Sequence, residues 1–164
     1  MTRVCLIVTI CWGILAFQSE VAGFTGARLV AFRVAEMVFA VEAAVVKEII
    51  PMHRATRLPG AHCAVVGLIN VRGRILSLVD ARRALNYPPA DDDGPIMLLE
   101  IGGHTAGLVV DDVLDLFSVS HDEFDGQGSL PGIDSALVRS VGRQAGVSFI
   151  LLDIEALLGP ILNA

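Results

Sequence analysis

Lysine is almost absent from this chain of 164 residues: Lys47 is the only one, beside eleven arginines. That scarcity removes nearly every candidate for a Schiff-base amine or a phosphate-loop lysine. No Gly-x-Ser-x-Gly elbow occurs, and Gly126-Gln127-Gly128 lacks the third glycine of a dinucleotide loop. His53, His62, His104 and His121 do not stand at metal-ligand spacing with one another. His62-Cys63 is adjacent, but no third ligand is near in sequence. A Cys–His pair that meets only in space leaves no local signature, and nothing in the sequence supports one. An enzyme reading therefore lacks a nucleophile, a metal and a cofactor cradle. No cofactor and no small-molecule substrate is expected.

Positive charge is also thin. The chain carries 18 acidic against 12 basic residues, a net charge of −6, with no basic cluster. Phosphate neutralisation supplies most nucleic-acid affinity, so no nucleic-acid partner is expected. The same balance disfavours adsorption to anionic lipid. Three cysteines, Cys5, Cys11 and Cys63, make no disulfide framework and read as reduced thiols of a cytosolic protein.

What is present is aliphatic. Hydrophobic residues make up 54% of the chain but aromatics only 5%, so the core must be built from Val, Leu, Ile and Ala. The length suits one compact domain, or two small ones sharing a core. Sixteen scattered glycines suit short elements joined by turns.

The N-terminal stretch differs from the rest. Val4 to Phe17 is an apolar run preceded by Arg3. It is shorter than the roughly 20 residues of a membrane-spanning helix. It is similar to a signal-peptide core, and Val21-Ala22-Gly23 offers small residues near a cleavage point. Three readings stay open: a misassigned start or inert tail, with Val21 as an alternative initiator, a membrane anchor, or a cleaved signal. Residues 1–27 are therefore set apart as an extension.

From Leu29 the pattern is strand-like. Short β-prone runs recur at Leu29–Val34, Val38–Val41 and Val45–Ile50, the last ended by Pro51. Val65–Val71 and Arg74–Val79 flank a tight turn at Arg72-Gly73, and Asp80 is placed to cap a short helix over Ala81–Leu85. Asn86 to Pro95, with its prolines and aspartates, reads as a linker. Then come Ile96–Ile101, Thr105–Val110, an extended run over Asp111–Val119, a loop over Phe124–Asp134, and strands at Leu137–Val141 and Val147–Leu152 around Gly142–Gly146. Asp153 caps a last helix, Ile154–Leu158, with Gly159-Pro160 as its stop. About ten short strands without long intervening helices predict an all-β barrel or sandwich. The linker suggests a first unit of about 28–86 and a second of about 96–160. The two halves share one order: hairpin, Gly-containing apolar strand, Asp.

Two acidic groups invite a catalytic reading and fail it. Asp91-Asp92-Asp93 lies in the linker and does not fit a calcium loop. Asp111-Asp112 follows a strand, and adjacent strand residues point to opposite faces, so these carboxylates should diverge. One charge pair stands out instead. Glu48 lies in a β-branched strand and Arg72 ends another. They either project separately into water or pair across the sheet on a partly apolar surface.

Gly67-Leu68-Ile69-Asn70-Val71-Arg72-Gly73 resembles the G-[VL]-[IT]-N-[LV]-R-G core of CheW-type chemotaxis coupling domains. Arg57-Leu58-Pro59-Gly60-Ala61, Ile75 to Asp80, Gly107 to Val113 and Leu151 to Leu158 are similar to further family motifs in the same order. The resemblance covers about residues 28–159. His62, Ser77 and Ala81 depart from the family pattern at packing and turn positions. The resemblance implies two five-stranded, SH3-like β-barrels around a shared hydrophobic core, with a short C-terminal helix. It implies a non-catalytic cytoplasmic adaptor that joins the tip of a membrane chemoreceptor to the regulatory domain of a CheA-type histidine kinase. That kinase domain has the same fold, so the two would alternate in receptor arrays. The resemblance also selects contact residues: Val46, Glu48, Ile49, Gly67, Asn70 and Arg72. An adaptor of another chemosensory system, such as twitching motility, is the alternative. A detached piece of a histidine kinase would need a catalytic domain upstream, and nothing here resembles an ATP-binding lid.

Overall fold

A computed structural model describes residues 26–91, 94–126 and 130–163. The apolar run Val4–Phe17 lies outside the described residues, and its three readings with it. Ten strands are formed: β1 (Gly26–Val34), β2 (Met37–Glu42), β3 (Val46–Ile50), β4 (Val65–Val71), β5 (Arg74–Asp80), β6 (Ile96–Ile101), β7 (His104–Val109), β8 (Asp112–Ser120), β9 (Val138–Gln144) and β10 (Val147–Leu152). Short helices at Ala81–Ala84 and Ile154–Leu162 follow β5 and β10. No helix among the described residues is long and apolar enough to cross a membrane.

The strands make two five-stranded sheets, ordered β8-β1-β2-β10-β9 and β3-β6-β7-β5-β4. The all-β expectation holds, but the division at the linker does not. The first sheet takes β1 and β2 from the N-terminal half and β8, β9 and β10 from the C-terminal half. The second takes β3, β4 and β5 from the N-terminal half and β6 and β7 from the C-terminal half. The cause is two short crossovers. A single 3-10 turn, Ala43–Val45, carries the chain from β2 in one sheet to β3 in the other. Val110 and Asp111 carry it back between β7 and β8.

The two halves therefore repeat one order of elements. Each has a hairpin, a strand, a second hairpin and a helix capped by an aspartate. Asp80 Oδ1 accepts the Arg82 N–H, and Asp153 Oδ1 accepts the Ala156 N–H. Even the bulges correspond: the register slips between Val46 and Glu48 in β3, and opposite Ala31 and Phe32 in β8. The shared order noted in the sequence is thus a structural repeat with its leading hairpins exchanged.

Three local expectations need correction. The last helix runs through Gly159 and Pro160 to Leu162, because Leu157, Leu158 and Ile161 are buried against the core. Their burial offsets the backbone bond that proline cannot make. Gly142 lies within β9, and the turn falls at Ala145-Gly146. Asp111 sits outside β8, on the crossover.

The largest buried cluster draws on both sheets and both helices, with Phe32, Phe39, Leu99, Leu108 and Leu158 fully buried. It is the shared core. Two smaller clusters fill the concave sides. Leu29, Ala40, Phe149 and Leu151 lie under the first sheet, and Ile69, Leu78, Ile96 and Leu98 under the second. Strand side chains alternate between the shared core and these inner clusters, as the two-residue period requires.

Candidate docking site

The β4–β5 hairpin builds the site from its turn outward. Val71 and Arg74 are paired, so only Arg72 and Gly73 lie in the turn. Their φ values are +50° and +80°, the left-handed pair of a type I′ turn. Gly73 takes this conformation freely, whereas Arg72 is strained by it. Asn70 Oδ1 accepts the Gly73 N–H at 2.9 Å, which holds the turn shut. The turn then presents Arg72 toward β3, and its guanidinium grips Glu48 through two bonds of 2.5 and 2.6 Å. The pair closes across the sheet, the second of the two readings left open by the sequence.

The pair links the two edge strands of the second sheet, since β3 and β4 stand at opposite ends of its order. The sheet is therefore curled, and the bridge spans its mouth. Arg72 is 74% exposed and Glu48 25%, so the bidentate geometry gives orientation more than stability. The pair helps line a groove of about 430 Å³, together with Lys47, Arg74 and Glu100 and the apolar Val71, Leu76 and Leu98. Lys47 and Glu100 form a second ion pair, at 2.5 Å, on the same rim.

The remaining expected contacts divide. Val46 and Ile49 are 2% and 3% exposed and belong to the shared core, so they are not surface contacts. The bulge at Lys47 is what lets Val46 and Ile49 face inward while Glu48 turns out. Gly67 is buried, with φ +154°. A Cβ there would stand 2.2 Å from the Thr56 carbonyl oxygen. Its role is to admit the 51–64 segment, which bridges to β4 through reciprocal Thr56–Leu68 backbone bonds of 2.8 Å. Asn70 is exposed but already spends its carbonyl on the turn.

Sequence reasoning missed Arg82. It donates to both carboxylate oxygens of Asp111, at 2.8 and 2.6 Å, and to the Pro88 carbonyl. Asp111 also accepts the N–H of Ala35, a left-handed residue at the tip of the β1–β2 hairpin. Burial pushes the Asp111 pKa up. The Arg82 and Ala35 hydrogen bonds and the charges of Arg82 and Arg33 overcome that, and the net shift is downward. Asp112 turns instead to Arg33 at 3.7 Å, so the two carboxylates do diverge. Nothing in the spacing of Arg82 and Asp111, 29 residues apart, announces their pairing.

The first sheet has a matching mouth. Gln144 Nε2 in β9 donates to the Ser118 carbonyl of β8, joining that sheet's edges. Its groove, about 380 Å³, is lined by the residues that ladder register sets opposite the first groove's. Asp115 occupies the place of Glu48, Ala145 that of Arg72, Val147 that of Arg74 and Phe149 that of Leu76. One mouth is ion-paired and its structural twin is mostly apolar, with Asp115 as its one carboxylate.

The CheW-like domain family model matches residues 28–161 of this chain. The chain belongs to the CheW-like family. Among named relatives, it is 34% identical to the chemotaxis protein CheW of Rhizobium meliloti (strain 1021), over 72% of this chain and 76% of the relative. It is 32% identical to Protein PilI of Pseudomonas aeruginosa, over 76% of this chain and 68% of the relative. The crystal structure of the scaffolding protein TtCheW from Thermoanaerobacter tengcongensis shares the fold. Its TM-score is 0.72 at 23% identity, covering 79% of this chain and 90% of that one.

Proposed function

We propose that this chain is a non-catalytic coupling adaptor of bacterial chemosensory signalling, joining a receptor tip to the regulatory domain of a CheA-type histidine kinase. Its family membership and its CheW-named relatives support the adaptor role. The observation that carries the two-partner reading is the pair of structurally equivalent, chemically different mouths. An adaptor must hold two surfaces apart and keep them distinguishable. The Glu48–Arg72 mouth orients one partner by charge, which gives specificity and on-rate. The apolar mouth beside Phe149 and Val147 gives the other partner buried area. The assembly works at the cytoplasmic face of receptor arrays, and no reaction is catalysed. The alternative, an adaptor of a different chemosensory system such as twitching motility, is supported by the similarity to PilI.

The test is a three-way pull-down of the purified chain with a kinase regulatory domain and a receptor tip fragment. Glu48→Arg and Arg72→Glu should each weaken one of the two contacts by about tenfold or more, and the double exchange should recover part of the loss. Failure of the unaltered chain to bind either fragment would sink the adaptor reading.

A further inference from the structure

The exchanged hairpins have a consequence for how the chain holds together. The β1–β2 hairpin occupies the centre of the first sheet, between β8 and β10, all other strands of which come from the C-terminal half. The β6–β7 hairpin occupies the centre of the second, between β3 and β5 of the N-terminal half. Either half alone would leave each sheet with a gap at its middle, or with only the hairpin that fills it. Side-chain electrostatics follow the same division. Of seven ion pairs among the described residues, four cross between the halves: Arg33–Asp112, Lys47–Glu100, Arg82–Asp111 and Arg139–Glu42. The covalent tie between the halves is the linker, whose Pro88, Pro89 and Ala90 are exposed and belong to no strand.

We propose that residues 26–86 and 94–163 are two mutually dependent halves, each the binding partner the other requires, and that the same half-to-half surface accepts the complementary half of a second copy of this chain. In such an exchanged dimer the β1–β8, β2–β10, β3–β6 and β5–β7 pairings and the four crossing ion pairs are re-formed between chains, the hairpins stay within each chain, and only the linker changes course. A short linker holds the halves at a high effective concentration, so the single-chain form dominates in dilute solution. Exchange becomes competitive when chains refold together at high concentration.

Two experiments test this on the full chain. In the first, a protease site is inserted between Pro89 and Ala90 and cut after folding. The two pieces should stay together as one species with an unchanged circular dichroism spectrum. After denaturation and separation, neither piece should regain the β spectrum, and mixing should restore it. A piece that folds alone, or pieces that part on cutting, would overturn the mutual dependence. In the second, Arg28→Cys and Ser118→Cys, a cross-strand β1–β8 pair, are introduced with the native cysteines replaced by serine. Refolding under oxidising conditions should give interchain disulfides whose fraction falls about tenfold on tenfold dilution, as a bimolecular capture competing with an intramolecular one requires. Disulfides that are intrachain at every concentration would overturn the exchange. Neither readout involves receptor or kinase, so these outcomes are independent of the adaptor reading.

Discussion

The two mouths sit on equivalent scaffolds and differ in nearly every side chain. At one, Arg72 bridges to Glu48 across the curled second sheet, with Lys47 and Glu100 on the rim. At the other, the same backbone positions carry Ala145 and Asp115, and Phe149 packs edge-on against Phe117 and Phe124 at 5.2 and 6.1 Å. The charged mouth keeps its shape through bonds that water can replace. The apolar mouth keeps it through aromatic packing that water cannot. The second is therefore tied to the stability of its sheet, while the first is free to change with little cost to the fold. That difference suits the two-partner role proposed above.

The largest expected effect breaks the apolar side. Phe149→Ala should lower stability by about 3–5 kcal/mol, against about 2–3 for its structural twin Leu76→Ala, because the aromatic cluster leaves the larger cavity. Denaturant unfolding of both variants checks this, and equal losses would remove the asymmetry. Next is the crossover that joins the sheets. Asp111→Ala should cost about 2–3 kcal/mol, since it leaves Arg82 and the strained Ala35 tip without their shared acceptor. The sign with pH follows from the lowered Asp111 pKa. Its contribution is complete above the ordinary carboxylate range and is lost as pH falls through the depressed native value. Asp111→Asn should therefore flatten the acid limb of a stability–pH curve, and an unchanged limb would contradict the role given to this pair.

Smaller effects separate the two turns. Asn70→Ala should cost about 1 kcal/mol by freeing the Gly73 N–H. Arg143, its counterpart on β9, makes no such turn bond, and Arg143→Ala should fall within about 0.5 kcal/mol of the parent. Thermal melts of the pair would show whether only one turn is side-chain locked. Smallest of all, Arg72→Ala should change stability by less than about 1 kcal/mol, because the guanidinium is mostly exposed. It should still weaken partner binding. A large drop in melting temperature with binding intact would move Arg72 from recognition to architecture.

Much of this was legible from residue order. The β-branched runs, the Arg72-Gly73 turn and the aspartate caps at Asp80 and Asp153 follow from local chemistry and appear where expected. The Gly67–Gly73 motif falls on the β4–β5 hairpin that carries the Glu48–Arg72 bridge. Its individual residues were harder to read. Val46 and Ile49 face the core because a one-residue bulge resets the alternation, and a bulge leaves no mark in the sequence. Gly67 and Asn70 serve close approach and turn closure, roles that depend on Thr56 and Gly73 being where they are.

The sequence by itself determined the elements: aliphatic strands, punctuating turns and two similar halves. Hydrophobic period and turn propensity are local properties, so they survive reading one residue after another. Only the tertiary structure decided which strands share a sheet. Exchanged and unexchanged hairpins satisfy the same local preferences and bury the same kinds of side chain. The choice between them rests on crossover geometry, on Arg82 meeting Asp111 and on the packing of Phe32 and Phe39 in a core common to both sheets. Those are long-range contacts, and their cost and gain exist only once the chain is folded.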